Sequence, residues 1–270
     1  GHKALAVNLS DLAAVGAEPL AFTLALSLPR VDEAWLAGFS SGLLRLADMH
    51  GCELVGGDTT QGPLNICITV FGEVPPGDAL LRQNAQVGDD IYISGTVGDA
   101  RLALEVFRGT HTLSGEAFEQ ARLRMEQPTP RVALGSALRA VANAAIDVSD
   151  GLLGDLGHIL KRSGVGAQID TTWLQAAGHF GEAHLPAGIT PVLAELAWNK
   201  RLEFALSGGD DYELCFTAPV NQRELVHAAA WETNTPVTRI GRITQEQGLV
   251  VLDPQGQPIT KRFASFDHFA

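Results

Sequence analysis

The 270-residue chain is 46% hydrophobic, 19% charged and only 6% aromatic, with a net charge of −12. Its length and apolar share suffice for one large core or two smaller ones, and without like-charge blocks or low-complexity tracts it is not a disordered chain. The acidic balance excludes the basic footprint of a nucleic-acid binder, so a protein of this charge that handles phosphates must recruit positive charge, divalent metal being the usual source.

Leu5, Leu9, Leu12 and Val15 recur at helical spacing and predict a helix over 3–15, stopped by Gly16. An apolar strand follows over 20–28, then a helix over 32–50 with Asp32 near its N-cap and Gly51 beyond its end. A short strand over 53–55 runs into Gly56-Gly57-Asp58-Thr59-Thr60, and a β-rich run over 65–74 is broken by Pro75-Pro76-Gly77. A domain boundary is expected there, giving 1–81 and 82–270. The second part predicts a strand over 91–94 and helices over 99–108, 115–127 and 131–142. A strand over 145–148 ends in Ser149-Asp150-Gly151 and feeds a helix over 152–163, and a strand covers 167–170. The stretch 173–191 carries no clear pattern. A strand over 212–217, a helix over 221–233 and two strands over 237–243 and 249–252 joined by a turn complete the chain. Strands alternating with helices, together with hairpins, predict a mixed α/β fold rather than a purely parallel sheet.

Cys52, Cys67 and Cys215 are far apart and form no CxxC pair, which argues against a disulfide framework or zinc site and fits a reducing compartment. The most apolar stretch, 12–28, is interrupted by Glu18 and Pro19 and is too broken for a membrane span. The GxxxxGK[ST] phosphate loop, GxGxxG, HExxH and protein-kinase signatures are all missing. Gly38-Phe39-Ser40-Ser41-Gly42 matches GxSxG but sits within a helical pattern, where a nucleophile elbow has no strand to leave. The eight histidines show no metal-ligand spacing.

Four acidic motifs remain. Asn8 and Asp11 share one helix face opposite the apolar stripe, as a hydrated-metal site or as a solvated face. Gly56-Gly57-Asp58-Thr59-Thr60 offers backbone N–H groups to phosphate and a hard oxygen to magnesium, or is a tight turn capped by its Asp. Asp147-Val148-Ser149-Asp150-Gly151 brackets a helix N-terminus with two carboxylates. One would serve as a cap; two are better explained by a metal and phosphate site. Ser207-Gly208-Gly209-Asp210-Asp211-Tyr212-Glu213 places two mutually repelling carboxylates after two glycines, for substrate or metal contact or as a turn. Arg82, at the expected junction, is either a phosphate clamp or a surface ion pair.

In this order, the runs 3–14, 55–60, 147–152 and 206–209, with Phe266-Asp267-His268-Phe269 near the end, resemble the thiamine-monophosphate kinase family, a relative of aminoimidazole ribonucleotide synthetase and selenophosphate synthetase. The resemblance covers nearly the whole chain. It implies a two-domain fold of the aminoimidazole ribonucleotide synthetase type, an N-terminal sheet domain pairing across a homodimer, and ATP-dependent conversion of thiamine phosphate to thiamine diphosphate in the cytoplasm, with neither nucleic acid nor membrane as partner. It further implies Asp11, Asp58, Asp147 and Asp150 as ligands of several Mg2+ ions, Gly57, Asp58, Arg82 and Ser149 as ATP contacts, and Asp210 and Phe266 as contacts to thiamine phosphate. The family usually carries Glu where this chain has Asp210, which shortens the reach and shifts substrate contact toward Asp211 or a water. Members also carry an upstream Gly-Asp-Asp loop and a Thr-Asp-Thr segment; the sequence in hand begins after both, so a non-catalytic nucleotide-binding or dimerisation module is the competing expectation. Another acceptor within the superfamily is the second.

Overall fold

The computed structural model describes residues 1–175 and 188–263. Alanine- and leucine-rich sequence forms helix α1 (His2–Ala14), which ends where Gly16 takes φ +70°. One face of α1 buries Leu5, Ala6, Leu9, Ser10 and Ala13. Strand β1 (Glu18–Leu28), helix α2 (Glu33–Met49) and strands β2 (Glu53–Gln61) and β3 (Asn65–Glu73) follow. The Asp32 side chain caps α2 by accepting from the Trp35 N–H at 3.0 Å. The three strands form a sheet in the order β2-β1-β3, with β1 parallel to β2 and antiparallel to β3.

The chain then builds β4 (Asp90–Ser94), α3 (Asp99–Phe107), α4 (Gly115–Glu126), α5 (Val132–Ala137), β5 (Ala144–Asp147), α6 (Leu152–Ser163) and β6 (Gly166–Asp170). After them come α7 (Pro191–Ala194), α8 (Trp198–Ser207), β7 (Leu214–Ala218), α9 (Arg223–Glu232), β8 (Val237–Thr244) and β9 (Gly248–Leu252). These strands form a six-stranded mixed sheet in the order β5-β7-β4-β8-β6-β9. Among the described residues no helix is long and apolar enough to cross a membrane.

Two apolar clusters hold the molecule. One lies under α3, α6 and α8 and contains Ile91, Leu102, Leu156, Ile159 and Phe204. The other joins α1, α2 and β1 to the six-stranded sheet: Leu5, Leu9, Phe22 and Leu43 share it with Tyr92, Leu134, Leu214 and Phe216. Tyr92 and Phe216 stack there with ring centroids 5.2 Å apart. Leu5 and Leu9 are fully buried, each worth roughly 1.5–3 kcal/mol. This packing carries Ser10 and Lys3, on the same helix, toward the end of β5.

Several elements differ from the sequence-based expectation. The run 56–60 is strand rather than loop: Gly57 pairs opposite Leu24 and Asp58 opposite Ala25. A Cβ at Gly57 would lie 1.9 Å from the Leu24 carbonyl oxygen, and φ is +145°, so glycine is required there by close strand approach. The helix expected over 131–142 stops at Ala137, and Ala140 takes φ +59°. Strand β7 starts at Leu214, not 212, because Asp210 and Tyr212 have φ of +70° and +51°. Strands β8 and β9 flank β6 instead of pairing with each other. Helix α8 has no counterpart among the predicted elements.

Candidate active site

The antiparallel pairing of β5 with β7 sets Asp147 opposite Leu214. The segment leaving β5 therefore runs beside the segment entering β7, and the two are laced together. Val148 N–H donates to the Glu213 carbonyl at 2.7 Å, Tyr212 N–H to Val148 at 2.9 Å and Asp210 N–H to Ser149 at 2.8 Å. A Cβ at Gly209 would sit 2.5 Å from the Ser149 carbonyl oxygen, and one at Gly151 (φ +123°) 2.9 Å from that of Ser207. Both glycines are thus fixed by the close passage of the segments.

Asp155, in the first turn of α6, organises the 149–151 loop from beneath. Its Oδ2 accepts from the backbone N–H groups of Ser149, Asp150 and Gly151 at 3.0, 3.1 and 3.1 Å. Burial pushes its carboxyl up to about 6, the three N–H groups opposing the shift and the nearby Asp150 charge adding to it. Asp155 is not among the sequence-predicted residues; an Asp one turn into a helix that opens on an Asp-Gly turn was the available signal.

Asp147 is buried at the end of β5 and accepts from Ser10 Oγ at 3.0 Å. Burial first, and the neighbouring Asp11 charge with it, raise its carboxyl to about 6 against the Ser10 hydrogen bond. Burial also raises Asp11, opposed by the Arg82 guanidinium. Asp11 and Asp147, close enough for the charge of the first to be felt at the second, make a donor set that fits a hard divalent cation. Asp11 and Arg82 line a cavity of about 580 Å³ with Leu80, His158, Lys161 and Arg162. A second cavity, of about 480 Å³, is lined by Ser149, Asp150, Asp210 and Tyr212 with Arg101 of α3 and Arg108 just past its end.

Asp11, Asp147, Ser149, Asp150 and Asp210 therefore meet where the two laced segments face α1, and Arg82 stands within electrostatic reach of Asp11. Gly57 and Asp58 lie on β2, where Asp58 Oδ1 accepts from the Thr59 N–H at 2.9 Å. Among the described residues no three His, Cys, Asp or Glu side chains are close enough together to hold a metal ion by themselves. Phe266 lies outside the described residues. Asn8 faces back along its own helix, donating to the Ala4 carbonyl at 2.8 Å.

The neighbours of Asp210 are struts. Asp211 is 2% exposed and accepts from the Gly98 N–H at 2.9 Å, so the expected shift of substrate contact to Asp211 is not met. Glu213 is fully buried under Arg124 and Arg131. Lys3, on α1, reaches Asp210 Oδ1 at 3.0 Å. The GxSxG match lies inside α2 and has no strand before it.

Residues 1–74 match the family model of the AIR synthase related protein N-terminal domain, and residues 86–253 that of its C-terminal domain. Thiamine-monophosphate kinase of Salmonella typhimurium is 43% identical over all of this chain and 79% of its own length, and that of Escherichia coli K12 is 45% identical over the same shares. The chain belongs to the thiamine-monophosphate kinase family. Its fold matches the crystal structure of thiamine-monophosphate kinase from Stenotrophomonas maltophilia K279a with a TM-score of 0.85 and 47% identity, over 96% of this chain and 78% of that one. It also matches AaThiL complexed with AMPPCP and TMP, with a TM-score of 0.79 and 27% identity over 99% and 79% of the two chains. The hydrogenase maturation protein HypE in complex with ATP, 18% identical, shares the fold at a TM-score of 0.76.

Proposed function

We propose that this thiamine-monophosphate kinase family member transfers the γ-phosphoryl group of ATP to the phosphate of thiamine phosphate, giving ADP and thiamine diphosphate. The observation that carries the reading is the single segment, 147–151, that sets Asp147 beside Asp11, which shares a cavity with Arg82, and sends Asp150 into the cavity of Asp210. A donor polyphosphate and an acceptor phosphate are thereby given adjoining seats. The AMPPCP and TMP bound to the AaThiL relative support that pairing of ligands.

Asp11, Asp147 and Asp150, with Asp58 from β2, would hold Mg2+. Bound there, the metal supplies the positive charge that two polyanions need in order to meet. The residues of the chain bind and orient. Arg82 clamps an ATP phosphate, and Gly57 and Ser149 contact the nucleotide. Asp155 fixes the 149–151 loop through its three N–H groups, and Asp210 and Phe266 contact thiamine phosphate. The acceptor oxygen is already ionised at neutral pH, so attack on the γ-phosphorus needs no protein nucleophile, and positioning dominates the catalysis.

The first 81 residues form the metal- and nucleotide-binding part and 82–270 the larger α/β part, acting as a homodimer in the cytoplasm. Pairing of the three-stranded sheets is supported by its open face: β2 is exposed along its whole length, and Leu20, Val55, Ile66 and Phe71 present apolar surface. The test is ADP release with ATP, magnesium and thiamine phosphate, against controls lacking the acceptor and with Asp58→Ala and Asp147→Asn. Release that requires thiamine phosphate and is lost in both variants is the expected result. ATP binding without acceptor-dependent release would replace the kinase with a nucleotide-binding module.

A further inference from the structure

Asp210 is held in a way that its own segment does not explain. It is a non-glycine residue at φ +70°, separated by one residue from Tyr212 at φ +51°. Two such residues so close together persist only where the surroundings fix them. The surroundings do so on every side. The Asp210 and Tyr212 N–H groups are tied to Ser149 and Val148, Asp211 to Gly98, and Glu213 to Arg124, Arg131 and Ser94. Asp210 and Tyr212 are the partly exposed members of this anchored run, and both line the 480 Å³ cavity.

Its Oδ1 is taken twice. Lys3 Nζ lies 3.0 Å away and the Tyr212 hydroxyl donates to it at 3.2 Å. Lys3 also stands 5.8 Å from the Tyr212 ring centroid, so the two groups brace one another. Among the described residues no hydrogen bond to Oδ2 is found, which leaves that oxygen to the cavity. The side chains of Lys3 and Asp210 are 33% and 42% exposed, and an ion pair in such surroundings adds little to stability. Its consequence is direction. Lys3 itself is set by the packing of Leu5 and Leu9 on the same helix and by Ser10 on Asp147.

We propose that Lys3 is a positioning residue for acceptor recognition. Together with Tyr212 it holds one oxygen of Asp210 and turns the other toward the acceptor's cationic heteroaromatic ring. This rests on the reading of thiamine phosphate as the acceptor.

The experiment is a set of steady-state kinetics on the full chain with Lys3→Met, Lys3→Arg, Asp210→Asn and the Lys3→Met/Asp210→Asn double variant. Wild-type turnover of thiamine phosphate is read first. Its absence overturns the acceptor reading and this proposal together. With turnover present, Lys3→Met raises KM for thiamine phosphate about tenfold, with kcat and the KM for ATP within about twofold, the pattern of lost ground-state binding. The double variant is no worse than Asp210→Asn alone, because neighbours acting through one contact are not additive. Lys3→Arg recovers most of the loss, and the melting temperature of Lys3→Met stays within about 2 °C of wild type, as expected for an exposed pair. Three results would sink the role of Lys3 while leaving the kinase intact: additive effects in the double variant, a fall in kcat at unchanged acceptor KM, or a loss of melting temperature that accounts for the lost activity.

Discussion

Replacing Glu213 with Gln removes one charge from the interior while keeping the side chain's shape. Glu213 is fully buried, and it accepts from Ser94 Oγ, Arg124 Nη2, Arg131 Nε and Arg131 Nη2, each at 2.6 Å. Burial pushes its carboxyl up, but the combined pull of Arg131, Arg124 and Ser94 leaves it below its ordinary value. In the Gln variant one acceptor becomes a donor facing guanidinium N–H groups, and Arg124 and the bidentate Arg131, only 14% and 10% exposed, lose their anionic partner. Removing one side of a buried pair costs about 3–5 kcal/mol. Losing two charge-assisted hydrogen bonds at about 1.5–3 kcal/mol each gives the same range. At roughly 2–4 °C per kcal/mol, the melting temperature should fall by about 6–20 °C. Thermal and urea unfolding followed by circular dichroism read this directly, with kinetics below the transition as a companion. The acid side adds a second signature. A carboxyl that titrates below its ordinary value in the folded state stabilises fully above that value and loses the contribution as pH falls through its folded pKa. The wild type therefore loses this increment on acidification and Glu213→Gln does not. A loss under about 1 kcal/mol, combined with a raised KM for thiamine phosphate, would refute the strut role and make Glu213 a substrate contact.

Asp155→Ala strips three backbone N–H groups of their acceptor, and should cost about 2–3 kcal/mol and lower kcat more than KM, read by unfolding and kinetics on the same preparation. Gly209→Ala places a methyl 2.5 Å from the Ser149 carbonyl; separating the two laced segments should raise the KM for thiamine phosphate at least about tenfold, and near-normal kinetics would show that the lacing is dispensable. For Asp211 the linkage runs the other way. Burial first, with the Asp99 and Glu213 charges adding to it and the Gly98 N–H opposing, holds its carboxyl well above the ordinary value, so folding favours the protonated form and its stabilising effect fades as pH rises above about 4. Asp211→Asn should therefore gain melting temperature relative to wild type between pH 5 and pH 8; a loss that grows with pH would reverse that assignment.

Helices α1, α2 and α6 are legible because their signals are local: a periodic apolar face, the Asp32 cap and the glycines beyond their ends. Strand β2 is not, because Gly56-Gly57-Asp58 reads as a turn until β1 supplies the neighbour that needs a glycine opposite Leu24. The order of β8, β6 and β9 is equally hidden, since a short connection between strands looks the same whether or not they pair. At the site, residue types and motif order are readable, and the packing of α1 and the β5–β7 pairing bring Asp11, Asp147, Ser149, Asp150 and Asp210 together. The roles of Asp211 and Glu213 are not readable. Both sit among acidic residues that look like ligands, and only the fold brings Arg124 and Arg131 over Glu213 and the Gly98 N–H onto Asp211. Lys3 escapes notice for the same reason, its partner lying at the far end of the chain.

Ser10 and Asp147 meet across 137 residues. Closing so long a loop adds little to the equilibrium cost, which grows only with the logarithm of length, but it delays the contact. During synthesis, helix α1 leaves the ribosome while its partners in α5, β5 and β7 do not yet exist. A nascent chain at that stage holds Asp11 without Asp147 and has no nucleotide pocket to misuse. Over the same interval Leu5 and Leu9 have nothing from the six-stranded sheet to cover them, so their apolar face is the exposed surface most prone to association until that sheet is made.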